Sequence, residues 1–265
     1  MKKNFTLLVL LFVFIHSNSQ SIEVGARGGY AYTWLSNNNV SNAGSEEDLV
    51  ASFAYNYGLF LGYDINHRYS LEADVLYGTL TQNYKGKFID NGILPEGTSY
   101  QTGETYTSQS LLYTISIPFL LQYNTRSGFY AELGPEYQFI TDANYTATYS
   151  NPPANSNYNV LSEFAKSNIA AMLGLGWRLK IARPQGLLAF VNIRFEYGLT
   201  DMQGVDAFGQ NLNVTSYNPI YSGAKPYYSN YQATHTLAAS INAGLYYRFA
   251  RHYKGNSPSS RGRVY

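Results

Sequence analysis

The stretch LLAFVNIRFEYGLT, residues 187–200, limits what this chain can fold into more than any other feature. It is apolar enough for a protein core, yet Arg194 and Glu196 sit inside it. Sorting by parity resolves the conflict. Leu187, Ala189, Val191, Ile193, Phe195, Tyr197 and Leu199 fall on one face, and Leu188, Phe190, Asn192, Arg194, Glu196, Gly198 and Thr200 on the other. Side chains alternate across a β-strand, so this is a strand with one oily side and one largely polar side. The same sorting works on TLAASINAGLYYRF (236–249). It works again on 168–181, where Gly174, Gly176, Arg178 and Lys180 lie opposite an unbroken apolar face.

Eight strands are expected, at about 22–35, 52–65, 69–85, 108–123, 128–146, 166–181, 187–200 and 236–249. The gaps between them alternate. NHR (66–68), NTRS (124–127) and ARPQG (182–186) are tight turns, whereas 36–51, 86–107, 147–165 and 201–235 are long and rich in Asn, Ser, Gly and Tyr. An even strand count with short turns at one end and long loops at the other is the pattern of a transmembrane β-barrel. Composition decides which face is outside. The chain carries 27 Tyr and 14 Phe with only 13% charged residues, and its oily face is tipped with aromatics at both ends. Tyr32, Trp34, Tyr55, Tyr137 and Tyr197 form a girdle toward the loops, and Tyr63, Tyr123, Phe129, Trp177, Tyr247 and Phe249 one toward the turns. Leu59, Val75, Ile115, Leu133, Leu173, Val191 and Ile241 lie between, as a lipid-facing band should. The expected fold is all-β: an eight-stranded antiparallel up-and-down transmembrane β-barrel with short periplasmic turns and long extracellular loops.

Constant parity through all eight strands turns Glu23, Arg27, Asp64, Glu72, Asp74, Glu132, Glu136, Arg178, Lys180, Arg194, Glu196 and Arg248 inward. An eight-stranded lumen is only wide enough for side chains to fill it, and charges in so dry a space must pair. A salt-bridge plug that stiffens the barrel is expected. The alternative is a narrow proton or solute path. Gly174-Leu175-Gly176 lies mid-strand with no helix after it, so it is not a phosphate-binding loop.

The first residues, MKKNFTLLVLLFVFIHSNSQ, have a basic start, an apolar run from Phe5 to Ile15 and small residues at Ser17 and Ser19. They read as a signal peptide, 1–19. The barrel domain then covers 20–250, and 251–265 is a flexible basic tail with Arg251, Lys254, Arg261 and Arg263. Removing the leader takes Lys2 and Lys3 from 18 basic residues and none from 17 acids, leaving a net charge near −1. That balance gives no argument for nucleic acid. There is no cysteine, which excludes a lipobox anchor and disulfides alike.

YTISIPFLLQY (113–123), FYAELGPEYQF (129–139), VNIRFEYGLTD (191–201) and the closing LYYRF (245–249) resemble the PorT-type outer-membrane β-barrel family. The likeness runs from about Ile22 to Phe249. Its motifs are Ile117-Pro118 in the fourth strand, Gly134-Pro135 in the fifth and Gly198-Leu199-Thr200-Asp201 after the seventh. The resemblance implies insertion in the outer membrane of a Gram-negative bacterium with both termini periplasmic, and implies no single activity. Residues 250–265 depart from it by continuing past the aromatic end, where many such barrels stop. Tyr247 and Phe249 resemble the terminal signal by which barrel-assembly machinery recognises its clients.

Catalysis has little to build on. His235, at the loop end of the last strand, is the one histidine where a membrane hydrolase would keep its base. No spacing marks a nucleophile, and no His/Cys cluster suggests a transition metal. SEED (45–48) is read as a solvated acidic run. Tyr217, Tyr221, Tyr227, Tyr228 and Tyr231 crowd the fourth long loop, and tyrosine is an economical contact residue, large and amphipathic with few rotors. The expected function is non-enzymatic: a barrel with a plugged lumen, without cofactors, serving adhesion, envelope structure or an outer-membrane complex of the secretion or assembly type. Its expected partners are outer-membrane lipid, the assembly machinery and another outer-membrane or periplasmic protein. A narrow porin-like channel and a lipid hydrolase using His235 are the alternatives.

Overall fold

Each of the eight alternating segments forms a strand in the computed structural model, which describes residues 21–42, 44, 47–88, 91–93, 99–150, 153–181, 186–209, 211–212 and 231–250. The expected signal peptide, the tail 251–265 and most of the fourth long connection lie outside these residues. In chain order the elements are β1 (Ser21–Ser36), helix α1 (Asn38–Asn42), β2 (Asp48–Val50), β3 (Phe53–Asp64), β4 (Tyr69–Lys87), β5 (Gly92–Ile93) and β6 (Ser99–Tyr100). They continue with β7 (Thr105–Asn124), β8 (Phe129–Ser150), β9 (Pro153–Asn159), a 3₁₀ turn (Leu161–Glu163), β10 (Ser167–Lys180), β11 (Leu187–Gly198) and β12 (His235–Ala250).

Eight of these strands close a ring. The order β1-β3-β4-β7-β8-β10-β11-β12 is antiparallel throughout, and β12 pairs back onto β1 from Ser21↔Ala250 to Ser36↔His235. Closure leaves no unpaired edge, which a wall surrounded by hydrocarbon requires. One circuit of the registers can be followed residue by residue. Ile22 pairs with Tyr63, then come Leu71, Leu121, Leu133, Leu173, Phe195 and Ala239, and Ala239 pairs with Tyr32. The path returns to β1 ten residues from its start. A stagger of that size in eight strands implies a tilt of about 40°. Every residue on this spiral is apolar or aromatic and points outward.

Exposure follows the same parity. Leu59 (66%), Leu133 (60%) and Ile241 (62%) are as open as isolated surface residues, while Phe60, Glu132 and Asn242 beside them in sequence are buried. The core is thus inside the ring and the oil outside it. At the turn end, local chemistry reverses the chain. The Asn66 side-chain oxygen accepts the backbone N–H groups of Arg68 (2.8 Å) and Tyr69 (2.9 Å), an Asx turn. Gly128, at φ +90°, ends the next turn where a side chain would collide with the Arg178 carbonyl.

Two features depart from the sequence expectation. Parity is not constant: a bulge between the β7 pairings of Tyr113 and Thr114 puts an extra residue into β8. Ile140 and Ala143 are consequently both buried, and Tyr145, Ala147 and Tyr149 follow on the inside. The long connections also hold more structure than their Asn and Ser content suggests. Most of 147–165 continues β8 and returns as its hairpin partner β9, and β2 adds to the far side of β4. Strands β2, β4, β7, β8 and β9 therefore rise above the rest of the ring at the loop end.

Candidate functional site

The ring encloses two stacked fillings of opposite character. The lower one is ionic. Arg194 lies on the β11 face that parity turns inward and is almost wholly buried. Its guanidinium donates to Glu132 (2.6 Å), Asp74 (2.7 Å) and Glu72 (2.9 Å). Arg27, from β1, reaches Glu72 (2.5 Å) and Asp74 (3.2 Å) on the same side of β4. It is held between the rings of Phe60 and Phe190, at 4.7 and 4.8 Å from their centroids, so its charge is also met by aromatic faces. Toward the turn end Glu23 takes Arg178 (3.4 Å) and Arg248, and Arg248 lies 3.8 Å from Asp64.

Neutral amides knit these pairs together. Gln122 donates to Glu72 (2.9 Å) and Glu132 (3.0 Å) and accepts from Arg178 (2.6 Å). Asn192 donates to Glu132 (3.0 Å). A side chain on Gly174 would strike Glu132, and one on Gly176 would strike the Tyr130 ring. These two glycines are the clearance for the carboxylate and the ring that fill the lumen.

Higher up lies a second acidic pair. Gln138 donates to Glu196 (2.7 Å) and Glu136 (3.2 Å), and neither carboxylate makes an ion pair with a described residue. Both line a cavity of about 50 Å³, together with Asn56, Asn242 and Ser240.

Above the cavity the interior turns apolar. Residues 202–209 and 211–212 fold into the rising wall, where Met202, Val205, Ala207 and Leu212 pack with Leu80, Tyr84, Leu112, Tyr145 and Phe164 in one buried cluster. The Ala207 carbonyl accepts from Ser108 Oγ (2.5 Å) and Tyr145 Oη (2.9 Å). Gly204 and Gly209 take positive φ on either side, and so does Gln203 at 56°. Sequence reasoning missed this cap because its residues, MQGVDAFGQNL, show neither period two nor a helical period.

Of the twelve expected lumen charges, eleven side chains are described, and all lie inside the ring: Glu23, Arg27, Asp64, Glu72, Asp74, Glu132, Glu136, Arg178, Arg194, Glu196 and Arg248. The side chain of Lys180 lies outside the described residues. Glu47 overturns the reading of SEED as a solvated run. It is buried, 2% exposed, where its charge reaches Tyr84 and Tyr106, while Asp48 is at the surface, 3.3 Å from Lys85; Ser45 and Glu46 lie outside the described residues.

His235 opens β12 with its Nδ1 3.0 Å from the Gly198 carbonyl and its ring stacked on Tyr197. Tyr247 and Phe249 contact each other on the outer face. Tyr231 is exposed, while Tyr217, Tyr221, Tyr227 and Tyr228 lie outside the described residues. Among the described residues no three His, Cys, Asp or Glu side chains converge as a metal site.

The family described as outer membrane protein beta-barrel domain matches residues 18–204. No curated protein matches the chain. Among solved structures, Neisserial surface protein A is similar at 14% identity, over 86% of this chain and 97% of that one, with a TM-score of 0.38. Ail, the attachment invasion locus protein of Yersinia pestis, is similar at 11% identity over 86% and 99%, with a TM-score of 0.35. OprG from Pseudomonas aeruginosa is similar at 14% identity over 89% and 98%, with a TM-score of 0.32. With the ring, its outward oil and a family match over most of its length, the chain belongs to the outer membrane protein beta-barrel domain family.

Proposed function

We propose that this outer-membrane barrel is sealed and non-enzymatic, and that it acts through its loop-end surface in adhesion, envelope structure or an outer-membrane complex. The observation that supports this reading is the double filling. Arg27 and Arg194 are locked onto Glu72, Asp74 and Glu132 across the lumen, and the cap 202–212 lies over the same axis. A solute would have to break buried ion pairs, each several kcal/mol to disrupt, and also displace an apolar core. The loop end is taken as extracellular and both termini as periplasmic, as in barrels with short periplasmic turns. On that orientation the wall formed by β4, β7, β8 and β9, together with the exposed Tyr231 just before β12, is what the cell displays.

Purified protein in planar bilayers should give no reproducible openings at either polarity. Steady channels from the wild-type barrel would replace this reading with the narrow pore. For the hydrolase alternative, lipid A and phospholipid profiles should be the same in cells carrying wild type and His235→Ala.

A further inference from the structure

The upper acidic pair is left unexplained by a sealed barrel. Of the eleven described lumen charges seven are acids and four are arginines: Arg27, Arg178, Arg194 and Arg248. All four arginines make their ion pairs with Glu23, Asp64, Glu72, Asp74 or Glu132. Glu136 and Glu196 remain, side by side under one Gln138 amide. Arg194 lines the same cavity, but its guanidinium is held by Glu72, Asp74 and Glu132. Two carboxylates set together in a largely buried space repel each other and lose hydration, so something further must compensate them.

The surroundings say what. Glu136 is 2% exposed, lines the cavity and has an Oε2 with no hydrogen-bond partner. Asn56 Oδ1 and Asn242 Oδ1, on the same cavity wall, are also without partners. Glu196 keeps accessible surface in the middle of the barrel, and the cavity is what that surface meets. A shared proton would neutralise one of two charges and satisfy one of several orphaned oxygens. A hydrated cation would serve all of them. The space suffices: a water needs roughly 10–15 Å³ of such volume, so about 50 Å³ takes an ion and a few waters. Carboxylate, amide and water oxygens are the donor set of a hard ion with flexible coordination, as Ca²⁺ is.

We propose that Glu136 and Glu196, with the amide oxygens of Asn56 and Asn242, form an internal Ca²⁺ site between the ionic filling and the cap. The site goes beyond the sealed-barrel reading and does not depend on it. It completes the neutralisation of the upper lumen and ties β3, β8, β11 and β12 together across the barrel.

The test uses the full mature chain refolded in detergent from inclusion bodies, free of lipopolysaccharide and its bound ions. After dialysis against Ca²⁺ at pH 8 and desalting, elemental analysis should find about one Ca²⁺ per barrel. The double variant Glu136→Gln, Glu196→Gln should retain less than a tenth of that. Both proteins must show the heat-dependent gel shift of a folded barrel; if the double variant lacks it, Glu196→Gln alone is measured and should lose at least tenfold in affinity. Ca²⁺ should also raise the unfolding temperature of wild type relative to chelator, and leave the variant unchanged. A wild-type barrel that retains no Ca²⁺ overturns the site, because the pair then holds only protons. Equal retention by a folded variant overturns it too, because the ion then sits elsewhere.

Discussion

Arg194 shows how one position can be both the strangest residue in its segment and the one that holds the lumen together. Its three carboxylate partners come from β4 and β8, and all are buried. Arg194→Ala should destabilise the barrel by about 3–5 kcal/mol, because removing one member of a buried ion network strands the others. Arg248 is the contrast. Its side chain is a third exposed at the turn end, where solvent screens the pair, so Arg248→Ala should cost about 1 kcal/mol or less. Urea unfolding in phospholipid vesicles measures both, and equal losses would mean that the network does not distinguish centre from rim. The inward direction of Arg194 and Glu196 was legible from alternation alone. The partner choice was not, because parity gives a face and not a height, and pairing across a lumen depends on the stagger of the whole ring.

At the scale of elements, the barrel strands were readable because their period of two runs unbroken for a dozen residues. Where that period fails, the sequence is silent for a physical reason. The bulge beside Ile140 costs one residue of register and moves Ala143 and Tyr145 to the inside. Above it the wall has its core within and polar residues without, so the oily face changes sides. Asn155 and Asn157 then look like loop residues although they lie on β9, on its exposed side. The cap depends on one carbonyl. Ser108→Ala with Tyr145→Phe leaves the Ala207 oxygen buried without a donor, which should cost about 1–3 kcal/mol. The loss should appear as faster hydrogen exchange over 202–212, with β10 to β12 unchanged. Equal acceleration in those strands would show that cap and ring unfold as one unit.

For the whole molecule, the central claim is a division of environments: hydrocarbon against the outer face, paired charge and a cavity within. Neighbouring residues of β12 put it to a direct test. Ile241 is 62% exposed on the outer face, midway between His235 and Phe249. Ser240, one residue before it, lines the cavity with Glu136 and Glu196. Trp34 and Trp177, the two tryptophans of the chain, lie on the outer face near opposite ends and report unfolding by fluorescence in phosphatidylcholine vesicles. Lysine at 241 must enter the lipid, so Ile241→Lys should lose about 2–4 kcal/mol. Lysine at 240 gains two carboxylates, so Ser240→Lys should lose distinctly less. A harmless Ile241→Lys beside a ruinous Ser240→Lys would exchange inside and outside, and contradict the barrel described here.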